Sequence, residues 1–199
     1  MDPALLVDVR THVALAGTAL AAATAIAVPL GIAAAYAGIG RGAILAVAAA
    51  GRTLPSLAVL AFMLPLLGVG FWPAVVALTL LAIPPIVINT DVGLRGVDPA
   101  ALDAARGMGM TAAQAFARVS WPLALPAVAT GVRTAAIEVV ASATLATFVG
   151  AGGLGDDIVR GLQTGDASAL YGGALAVAIL AFAVESLGGA IVKRIGAHA

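Results

Sequence analysis

Glu138 is a carboxylate inside segment 122–149, most of whose residues are apolar. An ionisable side chain at membrane depth is costly, and it usually faces a cavity, a pathway or a partner charge. Glu138 could therefore line a translocation path and meet the cationic group of a solute. It could also form a structural ion pair with Arg52 or Arg133. The sequence leaves both roles open.

Arg52 and Pro55 mark a break in another apolar segment, residues 42–67. Proline removes a helical hydrogen bond and interrupts a helix. Broken helices often border transport pathways in membrane proteins, although a kink can also serve packing alone. We therefore treat Arg52, Pro55 and Glu138 as candidate lining residues of a translocation path, with a structural role as the alternative.

Other patterns that could carry chemistry are weak in this chain. The glycine-rich run Gly150–Gly155 follows no strand and precedes no Gly-Lys-Ser/Thr, so it does not predict a phosphate-binding loop. It is either a flexible external bend or a purely structural turn. His12 and His198 have no ligand spacing to other metal-binding side chains, so no metal site is predicted. With no cysteine and no paired nucleophile and base, we expect no enzyme activity and no cofactor.

The composition is that of a membrane protein. Apolar residues make up 62% of the 199 residues, charged residues 10%, and mean hydropathy is +1.10. Soluble domains carry about 45–50% apolar and about 25% charged residues, so this chain needs lipid as a solvent. Zero formal net charge argues against nucleic acid as a partner. Because the first residues lack the features of a cleavable signal, we expect the first span to remain in the membrane.

Five apolar segments are long enough to cross a bilayer, which takes roughly 20 residues as a helix. They are Val13–Tyr36, Gly42–Leu67, Phe71–Ile88, Pro122–Val149 and Ala169–Val192. Asn89 and Asp91 are interpreted as the end of the third span. The fold class predicted is all-α, a polytopic membrane protein with about five transmembrane helices, and residues 1–199 form a single transmembrane domain.

The distribution of arginine and lysine predicts the orientation, since these residues concentrate in cytoplasmic loops. Arg10 and Arg160 fall on one side of the predicted membrane. The other side carries Arg41, Arg95, Arg106, Arg118, Lys193 and Arg194. The N-terminus is therefore predicted outside, the C-terminus in the cytoplasm, and the polar segment 98–122 in the cytoplasm.

Segment 98–122 has the signals of two short helices. Asp98 can cap a helix that has Pro99 at its first position, and Gly109 can end it. Thr111 and Gln114 have capping-box spacing, which predicts a second helix that stops before Pro122. One face of the first helix carries an apolar stripe formed by Ala101, Ala104, Ala105 and Met108. Such a pair of helices has no lipid to bury its apolar face and so predicts a protein partner.

This segment resembles a signature of binding-protein-dependent ABC importer permeases. The family pattern is E-A-A, three residues, G, nine residues, then I-x-L-P. Here the matching residues are Asp103, Ala104, Ala105, Gly109, Val119, Trp121 and Pro122, with Asp for Glu, Val for Ile and Trp for Leu. The resemblance implies that Ala100–Met110 is a coupling helix that docks into a groove of a separate ATPase subunit.

The resemblance extends over nearly the whole chain. The segments most similar to osmoprotectant permeases, for glycine betaine, carnitine or choline, are Arg52–Ala58, Pro65–Gly70, Gly93–Asp98 and Thr144–Asp156. Methionine-type importer permeases are similar around the glycine-rich run. The function implied is that of a permease subunit for betaine- or choline-like solutes, and a methionine-like or other amine importer is the alternative within the family.

The resemblance also implies partners and a mechanism. Cytoplasmic ATP-binding subunits would drive alternating access, and an extracytoplasmic solute-binding protein would deliver the cargo. A second permease chain, identical or paralogous, would complete the path within the lipid of the cell or inner membrane. A stand-alone channel or secondary transporter, which would not need Asp103, Ala105 or Gly109, and a membrane scaffold are the rival classes.

Overall fold

The computed structural model describes residues 3–197, nearly all of them helical and none in a strand. The helices are α1 (Pro3–Tyr36), α2 (Arg41–Gly51), α3 (Ser56–Leu67), α4 (Phe71–Arg95), α5 (Pro99–Gly107), α6 (Ala112–Ala115), α7 (Trp121–Ala143), α8 (Leu154–Thr164) and α9 (Ala167–Gly196). Short 3₁₀ segments at Gly38–Gly40 and Thr144–Val149 and a π-helical turn at Phe116–Ser120 join some of them. The predicted all-α class is confirmed. His198, discussed above, lies outside the described residues.

Four helical stretches in residues 3–197 are long and apolar enough to cross a membrane, and the pair α2–α3 would supply a fifth span. The prediction of about five transmembrane helices is therefore confirmed. The break in the second span lies where the sequence places it, between Gly51 and Ser56, and the two helices there are bent by 97°.

Two spans are longer than the sequence analysis proposed. The first helix begins at Pro3 rather than Val13, because its polar first turns pack against α8 and bury His12, whose Nε2 lies 3.0 Å from the Val140 carbonyl oxygen. The third span continues to Arg95 rather than ending at Ile88. Asn89 and Asp91 were wrongly placed at its end, since both lie inside α4 and Asp91 is fully buried.

The central helix of the bundle is α4, which packs along α1 on one side and α7 on the other. Glycines allow both approaches. A Cβ atom at Gly31 of α1 would lie 2.5 Å from Thr90 Cβ, and one at Gly131 of α7 would lie 2.7 Å from Asn89 Cβ. Small residues permit this close contact between helices in lipid, where dispersion and shape supply much of the helix association.

The helices α2 and α3 form a peripheral arm, residues 41–67, beside this core. The arm touches α4 at its bend, where a Cβ on Gly51 would lie 3.0 Å from Pro84 Cγ. The arm also contributes Ala48, Leu60 and Met63 to the hydrophobic core, and α3 packs along α4. Beside these contacts, the arm, α1 and α4 line an apolar cleft of about 550 Å³. Its walls include Leu30, Ile44, Val47, Val59, Leu81 and Val87. The arm is therefore packed less fully than the central helices.

The two ends of the bundle carry different structures. One end, called the α5 end, holds α5, α6 and the last turns of α1, α4 and α9. The other, called the α8 end, holds α8, the Gly68–Gly70 turn and the Thr144–Val149 segment, where the Gly70 N–H donates to the Val149 carbonyl at 2.7 Å. α9 runs back from α8 along α7 and forms an edge of the bundle.

Candidate functional site

The first half of the predicted coupling segment is a short helix with defined caps. The Asp98 carboxylate accepts a 2.9 Å hydrogen bond from the Ala100 N–H, and Pro99 occupies the first turn of α5. Gly109 ends the helix with φ +77°. The Gly109 N–H donates a hydrogen bond to the Arg106 carbonyl oxygen, and the Met110 N–H donates to the Ala105 carbonyl oxygen. These two hydrogen bonds form a Schellman motif, which satisfies backbone carbonyls that the helix end would otherwise leave without a partner. The caps predicted at Asp98 and Gly109 are present.

The second half begins with the predicted capping box. The Gln114 N–H donates to Thr111 Oγ1, and the Thr111 N–H donates to Gln114 Oε1 at 2.9 Å. The helix that starts there does not stop before Pro122, as the sequence analysis expected. It passes through the π-helical turn at Phe116–Ser120 into α7, so that one helical stretch of 38 residues runs from Ala112 to Val149. Proline is tolerated here because it lies in the first turn of α7, after the widened turn.

The signature residues of α5 are divided between the bundle and the outside. Asp103 is 73% exposed and makes a 3.2 Å ion pair with Arg106, Ala104 and Gly109 are exposed, and Ala105 is buried. Pro122 lies half-buried on α7. The structure therefore places a row of signature residues where another protein can reach them.

The predicted apolar stripe of α5 is only partly correct. Ala105 packs inward, but Ala104 is exposed and Met108 is 69% exposed. The side of α5 that faces the bundle instead carries Leu102, which lines a groove of about 200 Å³ with Tyr36 and Phe116. The stripe is thus split, and Met108 remains available for a contact outside this chain.

Of the path candidates, Glu138 is half-buried on α7, and no ion pair or hydrogen bond to its carboxylate occurs within residues 3–197. Arg52 lies exposed in the bend of the arm. Pro55 is exposed at the start of α3. Within residues 3–197 the structure therefore shows no ion pair between Arg52 and Glu138.

Arg133, the other partner considered for Glu138, is engaged elsewhere. Its guanidinium forms a two-bond ion pair with Glu185 of α9, through Nε at 2.9 Å and through Nη2. Gly188 and Gly189 of α9 make room for the arginine side chain. The proposed Arg133–Glu138 pair is wrong, because α9 presents a carboxylate to Arg133 at close range.

Two long-range ion pairs were missed by the sequence analysis. One is Arg133–Glu185, and the other joins Arg41 at the start of the arm to Asp91 of α4, with bonds of 2.9 and 2.7 Å. Asp91 is 1% exposed. A usable signal existed for Glu185, since it is a charge within an apolar span and such charges seek partners. The arginine pairs link residues 50 and 52 positions apart, which no local pattern reveals.

The glycine-rich run Gly150–Gly155 lies at the α8 end as a tight turn. Gly150, Gly152 and Gly153 have φ of +69°, +78° and +97°, and the turn leads into α8. It borders a polar cavity of about 560 Å³ with Thr147, Asp156 and Arg160 in its wall. Thr147 Oγ1 donates to the Asp156 carboxylate. Within residues 3–197, no three histidine or acidic side chains gather as metal ligands would.

This architecture defines a multi-pass, all-α membrane protein with a capped, exposed helix pair at one end. The family described as the binding-protein-dependent transport system inner membrane component matches residues 27–197. The chain belongs to this family, and the resemblance drawn from segment 98–122 is confirmed.

Its relatives include osmoprotectant permeases. The choline transport system permease protein OpuBB of Bacillus subtilis is 42% identical over 91% of this chain and 83% of the relative. The carnitine transport permease protein OpuCB of Listeria monocytogenes is 41% identical over 96% of this chain and 88% of the relative. Among solved structures, a chain of the inward-facing MetNI methionine ABC transporter matches with a TM-score of 0.85 and 25% identity, over 98% of this chain and 99% of that one.

Proposed function

We propose that this chain is the permease subunit of an ATP-driven importer for betaine- or choline-like compatible solutes. The observation that carries the proposal is the capped α5, which presents Asp103, Ala104 and Gly109 at one end of the bundle in the spacing of the family signature. The relatives named for choline and carnitine transport supply the solute class. ATP hydrolysis belongs to a separate subunit, because relatives of this chain are transport permeases.

We place the α5 end in the cytoplasm and the α8 end outside. The arginine and lysine distribution supports this orientation, with the N-terminus outside and the C-terminus in the cytoplasm. The ATP-binding subunits would then receive α5, and a solute-binding protein would approach the α8 end.

A second permease chain would complete the translocation path, because about five spans are too few to enclose one comfortably. Bacillus subtilis has two relatives of this chain named as permeases for glycine betaine, carnitine and choline, OpuCB at 41% identity and OpuCD at 37%. Two permeases with the same named solutes favour a paralogous pair over an identical one for this chain as well.

Transport proceeds by alternating access in this proposal. Binding of ATP closes the ATPase subunits, their motion displaces α5, and the spans rock so that the path opens to the other side. A ligand or an energy source can shift such an equilibrium only through contacts that differ between the two states, and here the contact is α5 in its groove. Glu138, Arg52 and Pro55 line the path, where the Glu138 carboxylate meets the cationic head of the solute.

A second candidate solute is methionine or a similar amine. The similarity to a chain of the MetNI methionine ABC transporter supports it. Competition of unlabelled choline, glycine betaine and methionine against labelled choline uptake would separate the two candidates.

The coupling proposal is tested by isolating the protein from native membranes as wild type, Gly109→Asp and Gly109→Asn. Aspartate and asparagine have nearly the same shape and both tolerate a positive φ, so the two variants differ mainly in charge. A Cβ at position 109 meets nothing within 4 Å inside the chain, so neither variant disturbs the bundle by a clash.

We expect an ATP-binding subunit to accompany the wild type and Gly109→Asn, and to be lost or strongly reduced with Gly109→Asp. Folding of each variant is checked by gel filtration in detergent. A folded wild type that brings down no ATPase would favour a stand-alone channel or a scaffold. Full recovery of the ATP-binding subunit with Gly109→Asp would show that the coupling surface does not include this end of α5.

A further inference from the structure

The α5 end contains a small groove between the last turn of α1 and the coupling segment. This groove, called the α5 groove, has a volume of about 200 Å³. Its walls include Tyr36, Leu102, Arg106, Met110, Phe116 and Ser120. A single water molecule needs only about 10–15 Å³, so the groove has room for a small solute.

Two aromatic rings form a corner in the wall of the α5 groove. The ring centroids of Tyr36 and Phe116 are 6.2 Å apart, and the ring planes meet at 68°. Trp121 extends the cluster, with its ring centroid 6.1 Å from that of Phe116. Tyr36 is 62% exposed, so a ligand can reach one ring of the corner. The faces of aromatic rings attract cations within about 6 Å of the ring centroid, and quaternary ammonium groups are typical ligands of such clusters.

The same wall carries a positive charge. Among the described residues, Arg106 is the charged side chain that lines the groove together with the aromatic rings. Its contact with Asp103, at 3.2 Å, joins two side chains that are each 73% exposed. Exposed pairs of this kind are weak, so the carboxylate of a ligand can replace Asp103 beside Arg106. The groove therefore offers an anion-binding group next to a cation-binding corner.

The α5 groove is separate from the candidate translocation path. Glu138 follows Phe116 by 22 positions on one continuous helical stretch. At a rise of 1.5 Å per residue, this spacing corresponds to about 33 Å along the helix. One small solute cannot contact both residues, so binding in the groove differs from binding at Glu138.

We propose that the α5 groove binds a solute that carries both a trimethylammonium group and a carboxylate, as glycine betaine and carnitine do. The trimethylammonium group packs in the corner between Tyr36 and Phe116, and the carboxylate pairs with Arg106. The choice of solute rests on the proposed function and narrows it. Choline has no carboxylate and its charge is repelled by Arg106, so the groove prefers glycine betaine to choline.

A solute in the groove contacts two elements whose relative position changes during the proposed transport cycle. Tyr36 belongs to α1, whereas Arg106 belongs to α5, which the ATP-binding subunits displace in the proposed function. The solute binds most tightly when both groups are in reach, and a ligand shifts a conformational equilibrium toward the state it prefers. Solute that has accumulated on the α5 side of the membrane therefore slows its own import.

Tryptophan fluorescence measures binding in the groove. The chain has two tryptophans, so Trp72→Phe leaves Trp121, beside the groove, as the single reporter. This full-length variant, purified in a maltoside detergent, is titrated with glycine betaine, tert-butylacetate, choline and glycerophosphocholine. The tert-butylacetate anion has the shape and the carboxylate of glycine betaine, with carbon in place of the charged nitrogen. Glycerophosphocholine represents a lipid headgroup, which is the other source of a trimethylammonium group beside an anion.

Tyr36→Leu and Tyr36→Phe, each combined with Trp72→Phe, form a matched pair, because only phenylalanine keeps the aromatic face. We expect a saturable response to glycine betaine, with a Kd about fivefold higher in Tyr36→Leu and unchanged in Tyr36→Phe. Choline and tert-butylacetate should bind more weakly than glycine betaine in the unaltered groove, a comparison that does not depend on the folding of any Tyr36 variant.

Three results would overturn the proposed site. They are the absence of a saturable response to glycine betaine, an equal response to tert-butylacetate, and an unchanged Kd in Tyr36→Leu. A response to glycerophosphocholine alone would assign the groove to lipid and refute binding of a free solute.

Uptake by the complete transporter tests the effect of the site on import. Proteoliposomes contain the permease with its ATP-binding subunit, ATP inside, and the solute-binding protein outside. Enclosed glycine betaine should inhibit uptake of the labelled solute, and Tyr36→Leu should need about fivefold more of it for the same inhibition. Both proteins should take up solute equally into vesicles that enclose none. Equal inhibition of wild type and Tyr36→Leu would refute the effect on import. If the wild type imports no solute at all, the proposed function fails, whereas the fluorescence titration still decides whether the groove binds.

Discussion

Neighbouring glycines in α9 provide a sharp test of the packing at the α8 end. Gly173 is the buried residue of the pair, and a Cβ atom there would lie 2.9 Å from Asp157 Cβ and 3.1 Å from Ile158 Cγ1 of α8. A Cβ at Gly172 would meet nothing within 4 Å. Both positions are in the same helix at the same depth, so Gly172→Ala is a matched control for Gly173→Ala.

The expected difference follows from the distances. Carbon atoms pack best at about 3.5–4.0 Å, so the new methyl group at position 173 forces α9 away from α8 by a sizeable fraction of an ångström. Overpacking of this kind costs about 1–3 kcal/mol. Both variants gain up to about 1 kcal/mol of helix propensity over glycine. Gly173→Ala should therefore be less stable than Gly172→Ala by about 2 kcal/mol on balance.

Thermal unfolding of the purified protein in detergent measures this difference. For a chain of this size, 2 kcal/mol corresponds to a Tm about 4–8 °C lower for Gly173→Ala than for Gly172→Ala. Gly172→Ala should match or slightly exceed the wild type. Equal Tm values for the two variants would show that α8 does not pack on Gly173 as described, and the account of this end of the bundle would be wrong.

The remaining predictions concern the arm and the coupling segment. Arg41→Ala should lower the Tm more than Asp91→Ala, because removing Arg41 leaves the buried Asp91 carboxylate without its cation. In Asp91→Ala, by contrast, the Arg41 side chain can reach solvent. Equal decreases in Tm would contradict the burial of Asp91. Thr111→Ala should cost about 1 kcal/mol by removing the helix cap, seen as faster proteolytic cleavage near segment 98–122, and Thr111→Ser should restore protection. Identical cleavage of the two variants would remove the capping box from the explanation.

The caps of segment 98–122 could be predicted from the sequence because their chemistry is local. Asp98 and Thr111 act on N–H groups two and three residues away, and Gly109 is needed for its own backbone angle. The five-span topology was also accessible, since apolar length alone decides which segments can cross a bilayer. The break at residues 52–55 followed from Pro55.

The errors came from polar residues that are satisfied by distant partners. Asp91 was interpreted as part of the end of the third span, but Arg41 pairs with it inside the bundle. His12 was left outside the first predicted span, although it is buried in the bundle with its Nε2 3.0 Å from the Val140 carbonyl oxygen. Arg133 was considered as one possible partner of Glu138, but it pairs with Glu185 of α9. Such pairs depend on which helices are neighbours in the bundle, and the hydropathy of a sequence does not show which helices pack together.

The π-helical turn at Phe116–Ser120 fixes a rotational phase between the capping box and α7. A π turn corresponds to one residue inserted into an α-helix, and each residue of an α-helix turns the chain by about 100°. Deleting one residue from this turn would keep the helix continuous and its composition nearly unchanged. It would nevertheless turn α7, and Glu138 with it, by about 100° relative to the capping box. The direction of the Glu138 carboxylate relative to the coupling segment is therefore set by the π-helical turn, about twenty residues earlier in the chain.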